Sequence, residues 1–269
     1  MTDRYAVIGN PIAHSKSPAI HHAFAEQLDQ DLVYTAELIP LDGLKEGLTK
    51  LQSQGFKGIN VTVPFKEQVW QQLENKSDQA TLAGAINTVI FNDDGSSYGD
   101  NTDGIGLCRD LVDNHNIQLS DHRILLLGAG GAARGVILPL LKHQPSELVI
   151  ANRTVSKAQN LADLFSEFGN IQASGFENIS GQFDVIINAT SASIQGQVPP
   201  IPSTVAQPTT CCYDMMYGAS DTAFIQWAKA HKVSQAIDGL GMLVEQAAEA
   251  FYLWRGLRPN TQSVIASLR

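Results

Sequence analysis

The run Leu125-Leu126-Leu127-Gly128-Ala129-Gly130-Gly131-Ala132-Ala133-Arg134-Gly135 constrains this chain more than any other. It joins an apolar strand, a glycine turn and the opening of a helix, the pattern of a dinucleotide-binding phosphate turn. Gly128 and Gly130 let the backbone turn tightly and approach a pyrophosphate, and Ala133 is small enough for close helix packing. A helix beginning near Gly131 aims free N–H groups and its positive dipole end at the phosphates. Glycines alone also mark ordinary strand–helix turns, so the second strand decides. An NAD site carries an acidic residue about 20 residues further on, bound to the ribose hydroxyls. Here Val149-Ile150-Ala151 ends instead in Asn152-Arg153-Thr154, with Lys157 one helical turn later. A cationic end of this kind accepts a 2′-phosphate, and the expected cofactor is NADP.

The chain has 269 residues, enough for two modest domains or one large one, and a 43% hydrophobic content suited to a buried core. Its net charge of −9 argues against non-specific nucleic-acid binding, which needs a basic face. Cys108, Cys211 and Cys212 are odd in number and two are adjacent, so no disulfide framework or zinc site is expected. The segment Met1–Ile8 moves straight into a strand without a signal peptide's apolar stretch, and no run reaches membrane-spanning length. A cytoplasmic, reduced protein without membrane partners is expected.

Periodicity predicts strands at 5–9, 33–38 and 58–63 and helices at 44–54, 66–74 and 78–84. Ser17-Pro18 opens another helix, with serine as N-cap and Ile20, Phe24 and Leu28 as its apolar face. Residues 87–91 and 97–99 pair as a hairpin around Asp94-Gly95. From Arg123 a β–α–β rhythm sets in, with strands at 123–127, 148–151, 184–188 and 211–214, weaker ones at 171–173 and 233–236, and helices at 156–168 and 222–231. The apolar positions Leu240, Leu243, Val244, Ala247, Phe251 and Trp254 mark a further helix, followed by a short one after Pro259. The expected fold is α/β in two domains. Residues 1–103 plus 239–269 form an open α/β substrate domain, residues 104–238 a Rossmann-type parallel-sheet NADP domain, and a cleft lies between them.

Three polar runs stand out. In Asn60-Val61-Thr62-Val63-Pro64-Phe65-Lys66, strand alternation puts Ile59, Val61 and Val63 on one face and Asn60 and Thr62 on the other. Lys66 then follows at the strand's carboxyl end, where open α/β sheets bind ligands; the plainer reading is an edge strand and a surface lysine. In Gly99-Asp100-Asn101-Thr102-Asp103-Gly104, Asp103 serves as N-cap of a helix at 105–111, or as a carboxylate that holds and tunes Lys66. Reducing a ketone by hydride transfer needs a proton on the nascent alkoxide; Lys66 can donate it while Asp103 orients the lysine and a substrate hydroxyl. In His14-Ser15-Lys16-Ser17-Pro18, two hydroxyls near a helix start suit a carboxylate, and Ser15 has no evident structural job. Asn87 and Gln246 are weaker candidates. His21 and His22 lack a metal-ligand pattern, and without a Gly-x-Ser-x-Gly elbow hydrolase chemistry is not expected.

Together with Gly84-Ala85-Ile86-Asn87-Thr88, Asn188-Ala189-Thr190-Ser191, Tyr213-Asp214-Met215 and Asp238-Gly239-Leu240-Gly241-Met242-Leu243, these runs cover nearly the whole chain in order. In them the chain resembles shikimate dehydrogenases, most nearly the NADP-dependent biosynthetic type of bacteria. The resemblance implies reversible reduction of 3-dehydroshikimate to shikimate, on the way to aromatic amino acids, with Lys66 as acid/base and Asp103 as its partner. It implies that Ser15 and Ser17 hold the substrate carboxylate with help from Thr62 and Tyr217, and that Asn60, Asn87 and Gln246 bind ring hydroxyls. It implies that Gly128, Ala129, Gly130, Gly131 and Ala132 cradle the pyrophosphate. Asn152, Arg153, Thr154 and Lys157 surround the 2′-phosphate, Met215 and Gly239 lie against the nicotinamide, and Asp78 matches a position assigned to cofactor contact. Lys157 stands where relatives often have arginine; lysine keeps the charge but loses the bidentate, stacking geometry, so weaker discrimination against NAD is expected. Ala192-Ser193 replaces a frequent glycine, with a local loop effect expected.

Rival readings are a relative that prefers quinate or uses NAD, a catalytically silent NADP-binding regulator, and another two-domain NADP dehydrogenase such as a folate enzyme. The absence of an acidic residue at Asn152 speaks against NAD preference, and the presence of both Ser15 and Ser17 favours shikimate over quinate. Lys66 and Asp103 speak against the second reading, and the Ser15/Ser17 loop against the third. The expected state is a monomer, with a homodimer as the alternative.

Overall fold

The computed structural model describes residues 2–269. It divides into two compact units, one of residues up to Gly106 with Val244–Arg269, the other Leu107–Leu243.

The first unit contains β1 (Asp3–Gly9), α1 (Ser17–Gln27), β2 (Leu32–Leu38), α2 (Leu44–Ser53), β3 (Phe56–Val61), α3 (Lys66–Gln72), α4 (Asp78–Ala83), β4 (Thr88–Phe91), β5 (Ser97–Asp100) and the start of α5 (Asp103–Arg109). Its sheet runs β2-β1-β3-β4-β5. β1 is parallel to β2 and β3, whereas β4 is antiparallel to β3 and β5. The β4–β5 hairpin is closed at Asp94-Gly95, where Asp94 Oδ1 accepts the Ser96 N–H at 2.9 Å and Gly95 takes a φ of +85°. β3 is therefore an interior strand, not an edge. Ile59 and Val61 point into a core with Ala6, Ile8, Phe65, Val69 and Ile86. On the opposite face Tyr5, Val7, Ile12 and Tyr34 pack against Trp254. Val63, expected on the strand's apolar face, lies beyond its end and is 64% exposed, because the chain turns at Pro64.

The second unit contains β6 (Arg123–Leu127), α6 (Gly131–Lys142), β7 (Glu147–Ala151), α7 (Val155–Phe165), β8 (Ile171–Ser174), β9 (Val185–Asn188), β10 (Cys211–Asp214), α8 (Ala223–Ala230) and β11 (Gln235–Asp238). All neighbours in the order β11-β10-β9-β6-β7-β8 are parallel. From β6 the chain winds outward through β7 and β8, then returns to β9 on the other side. That reversal opens a crevice at the carboxyl ends of β6 and β9. Leu125, Leu127, Phe183, Ile186 and Cys212 fill the core of this sheet.

Several boundaries differ from the periodicity: β1 starts at Asp3, β3 spans Phe56–Val61 and α3 ends at Gln72. β11 starts two residues late, because Lys232 adopts a φ of +56° and Ser234 is held to the Thr210 carbonyl by its N–H and hydroxyl, prolonging the turn. α7 stops at Phe165 and tightens into a 3₁₀ turn over Ser166–Phe168. α5 starts at Asp103 rather than Ile105 and gives way to a π-turn at Asp110–Asn114. α9 (Leu240–Arg255) and α10 (Gln262–Leu268) complete the chain. Among the described residues, no helix is long and apolar enough to cross a membrane.

Candidate active site

Lys66 is the first residue of α3, directly after Phe65, whose fully buried ring anchors the turn. Its Nζ lies 2.6 Å from Asp103 Oδ2, with both side chains only partly exposed. Asp103 opens α5, and its own N–H is accepted by Asn101 Oδ1 at 3.1 Å. Asn101, not Asp103, thus supplies the capping oxygen, which leaves the Asp103 carboxylate for Lys66. Asp103 Oδ1 accepts Asn87 Nδ2–H at 2.7 Å. The same Asn87 amide reaches Thr102 Oγ1 at 3.0 Å and Gln246 Oε1 at 3.3 Å, while its Oδ1 accepts the Thr102 N–H at 2.9 Å. Lys66, Asp103, Asn87 and Gln246 are therefore joined in one polar cluster, drawn from α3, α5, the approach to β4 and α9.

Asn60 extends this cluster on β3, donating to the Asn87 carbonyl at 3.2 Å and to Thr88 Oγ1 at 3.1 Å. Ser15 and Ser17 sit at the start of α1, but Ser17 is the first helical residue and its hydroxyl does not cap; Lys16 occupies the N-cap position. Ser15 does have a structural job, since its Oγ accepts the Ser17 N–H at 3.3 Å. Thr62 leaves β3 with its N–H on the Ile8 carbonyl at 3.0 Å and its methyl packed over Gly9, where a Cβ would come within 2.6 Å. Tyr217 follows β10 in the second unit, 40% exposed. Asp78 stands in the first unit, in the first turn of α4, where a negative charge favours the helix start.

In the second unit a cavity of 520 Å³ opens over the glycine turn. Gly128–Ala132, Asn152 and Arg153 line one side and Ala189–Ala192 with Val198–Pro200 the other. Gly128 adopts a φ of +108°, and a Cβ there would press on the Ala189 backbone at 3.3 Å. Gly130 faces open space, and no side chain caps α6, so its first N–H groups are presented to the cavity. Asn152 Nδ2 donates to the Thr154 carbonyl at 2.9 Å, shaping the turn that carries the exposed Arg153. Thr154 and Lys157 are exposed on the start of α7, beyond the cavity lining. Met215 and Gly239 lie back to back, since a Cβ on Gly239 would approach the Met215 carbonyl oxygen to 2.3 Å. An open glycine cradle, an uncapped helix start and a free guanidinium suit a phosphorylated dinucleotide.

Family models match three stretches: a shikimate dehydrogenase substrate binding domain over residues 7–89, a shikimate/quinate 5-dehydrogenase over 110–195, and a shikimate 5′-dehydrogenase C-terminal domain over 239–269. The shikimate dehydrogenase (NADP(+)) of Hahella chejuensis is 55% identical over 267 residues, covering 99% of this chain and 98% of that protein. This chain belongs to the shikimate dehydrogenase family. Among solved structures, an Ael1 enzyme from Pseudomonas putida superposes with a TM-score of 0.94 at 45% identity, over 99% of this chain and 98% of that one. A shikimate 5-dehydrogenase from Thermus thermophilus, in complex with NADP(H) and shikimate, superposes with a TM-score of 0.87 at 32% identity, over 99% and 98%.

Several residues of this family member carry geometry that sequence reasoning did not assign. Thr88 and Thr102 are fully buried links of the polar cluster; both lay inside runs that carried the resemblance, without a role. Thr190 and Ser191 line the cavity over the glycine turn, and their own turn is held by Asn188 Oδ1, which accepts the Thr190 hydroxyl at 2.7 Å. Beneath it the buried Asp214 carboxylate accepts from Asn188, Ser193, Thr222 and the Met216 N–H. Tyr34 had no signal beyond strand periodicity.

Proposed function

We propose that this chain catalyses the reversible, NADP-dependent reduction of 3-dehydroshikimate to shikimate, a step towards the aromatic amino acids, as a cytoplasmic monomer. The observation that carries this reading is the Lys66–Asp103 pair at 2.6 Å, held by Asn87 inside one hydroxyl- and amide-lined cluster. In this reading residues 1–103 with 239–269 bind substrate and residues 104–238 bind NADP.

Gly128, Ala129, Gly130, Gly131 and Ala132 would hold the pyrophosphate and Asn152, Arg153, Thr154 and Lys157 the 2′-phosphate, with Met215 and Gly239 beside the nicotinamide. When bound, the reduced cofactor supplies the hydride. Ser15, Ser17, Thr62 and Tyr217 hold the substrate carboxylate; Asn60, Asn87 and Gln246 fix the ring hydroxyls. Such anchoring makes the reaction effectively unimolecular. As negative charge grows on the ketone oxygen, the Lys66 ammonium stabilises it and delivers a proton to it. Asp103 keeps the ammonium aimed while accepting a substrate hydroxyl.

Initial rates with shikimate and quinate, each paired with NADP and NAD, test this. A strong rate confined to shikimate with NADP is expected. Faster turnover of quinate or of NAD would move the chain to a different dehydrogenase of the same family, and cofactor binding without turnover would make it a silent NADP-binding protein.

A further inference from the structure

We infer that Tyr34 is a positioning residue of the substrate site: its hydroxyl fixes the Asn60 amide as an acceptor, so that Asn60 selects a ring hydroxyl that can donate. The inference rests on the reading of Asn60 as a substrate contact.

Tyr34 lies on β2, yet its hydroxyl reaches past β1 and donates to Asn60 Oδ1 on β3 at 2.7 Å. The ring has no freedom to do otherwise. It is 2% exposed and stacks on His21 with centroids 4.1 Å apart and planes 5° apart. Its backbone N–H is held by His22 Nε2 at 3.2 Å, although β2 is an edge strand. Burial pushes the phenol well above its ordinary range, only partly offset by the Ser17 hydroxyl, so it remains a donor at any working pH.

The direction of each bond follows from backbone groups whose roles are unambiguous. Asn60 Nδ2 faces the Asn87 carbonyl, which only accepts, and this orients the Asn60 amide. Asn87 Oδ1 faces the Thr102 N–H, which only donates, and this orients the Asn87 amide. Between them, Asn60 Nδ2–H donates to Thr88 Oγ1 at 3.1 Å and Thr88 donates to Asn87 Oδ1 at 2.9 Å. Asn87 then donates to Asp103 Oδ1 at 2.7 Å. The chain Tyr34–Asn60–Thr88–Asn87–Asp103 therefore donates in one direction throughout, ending at the carboxylate that holds Lys66.

Asn60 has four hydrogen-bonding positions, two N–H groups and two lone pairs on Oδ1. Both N–H groups are taken within the protein, and Tyr34 takes one lone pair. His21 faces the same Asn60 amide, but its Nε2 makes no hydrogen bond of ordinary length there, so among the described residues the Tyr34 hydroxyl is the donor seated on Oδ1. A ligand can meet Asn60 only as a donor, so a hydroxyl is accepted there and a carbonyl or ether oxygen is refused. Without the Tyr34 hydroxyl, Oδ1 keeps two unmet lone pairs in a buried place and the amide loses the partner that aims it.

Tyr34→Phe removes one oxygen and keeps the stack on His21. The KM for shikimate is expected to rise about tenfold while kcat stays within about twofold and the KM for NADP is unchanged, as removal of one buried hydrogen bond implies. In an Asn60→Ala background, adding Tyr34→Phe should cost less than about a further twofold, since the group it acts through is gone. 4-Aminophenylalanine at position 34 retains a donor and should restore the KM, and it serves equally if the phenylalanine variant fails to fold. Losses that multiply in the double variant, or an unchanged KM in Tyr34→Phe beside a raised KM in Asn60→Ala, overturn the inference alone. An unchanged KM in Asn60→Ala overturns the reading of Asn60 itself, and this inference with it.

Discussion

Lys66 Nζ meets the Asp103 carboxylate through Oδ2 at 2.6 Å, while Oδ1 is occupied by the Asn87 amide at 2.7 Å. Neither oxygen can rotate away without breaking the other bond, so the ammonium is aimed rather than tethered. Lys66→Ala should lower kcat by about 10²–10⁴-fold, the usual contribution of a positioned proton donor, with little change in KM. Asp103→Asn places an N–H against either Lys66 or the Asn87 amide, both donors, and should cost a comparable part of kcat. Steady-state kinetics in both directions decide: a raised KM at unchanged kcat in Lys66→Ala would remove the lysine from proton transfer.

Arg153 projects from a turn whose shape is held by Asn152 rather than by the guanidinium itself. Its removal should therefore leave the fold intact. Arg153→Ala is expected to raise the KM for NADP by about 10–100-fold, the value of charge-assisted bonds to a phosphate, and to leave NAD nearly unaffected. Lys157→Ala, further along α7, should have the smaller effect of a single point charge. Equal losses for NADP and NAD in Arg153→Ala would rule out a 2′-phosphate contact.

Gly128 takes a φ of +108° at the end of β6, where its N–H bonds the Ala151 carbonyl at 2.8 Å. An alanine is strained by that backbone and presses on Ala189 and Thr190, which line the same cavity. Gly128→Ala should cost about 1–3 kcal/mol of stability and weaken NADP binding while shikimate binding is retained. Cofactor titration by fluorescence, paired with thermal unfolding, reads both; an unchanged NADP affinity would mean the turn does not cradle the pyrophosphate.

The sequence carried what local rules can carry. β6 and the glycine turn were legible because an apolar run, two glycines and a basic second strand each follow from their own immediate neighbours. Asn60 and Thr62 were singled out by strand alternation, and Lys66 and Asp103 by their chemistry. The partnership of Tyr34 with Asn60 was not legible, because it spans β1 and depends on which strand lies between β2 and β3. Nor was the capping oxygen of α5: Asn101 and Asp103 are both good caps by type, and only the folded backbone gives that task to Asn101. Ser17 was misjudged as a cap for the same reason, since one residue's shift in helix start moves its hydroxyl off the cap position and beside Tyr34.

Burial pushes the Cys108 and Cys211 thiols up to about 12, and raises Cys212 as well. The thiolate is the reacting form, so all three should be inert at neutral pH in the folded protein. Ellman's reagent is expected to label no cysteine over an hour under native conditions and three in denaturant. Rapid native labelling of one thiol would show that its strand opens far more readily than its packing implies.

His21 sits in an aromatic box of Phe24, Tyr34, Phe251 and Trp254, with no hydrogen-bond partner on Nε2. Burial lowers its pKa from 6.5 to about 3; Asn60 nearby offsets only part of this. In the unfolded chain the imidazole takes up a proton as pH falls below about 6.5, whereas in the folded protein it stays neutral until about pH 3. The unfolded state thus binds more protons throughout that window. Stability from this residue is complete above about pH 6.5 and is lost on acidification at up to about 1.4 kcal/mol per pH unit. His21→Phe fills the same box without a titrating group. Urea denaturation at pH 7, 5.5 and 4.5 should show the wild type losing about 2 kcal/mol more than the variant across the series. Parallel pH profiles for the two proteins would mean that His21 is protonated in the native state, and that the box is open to water.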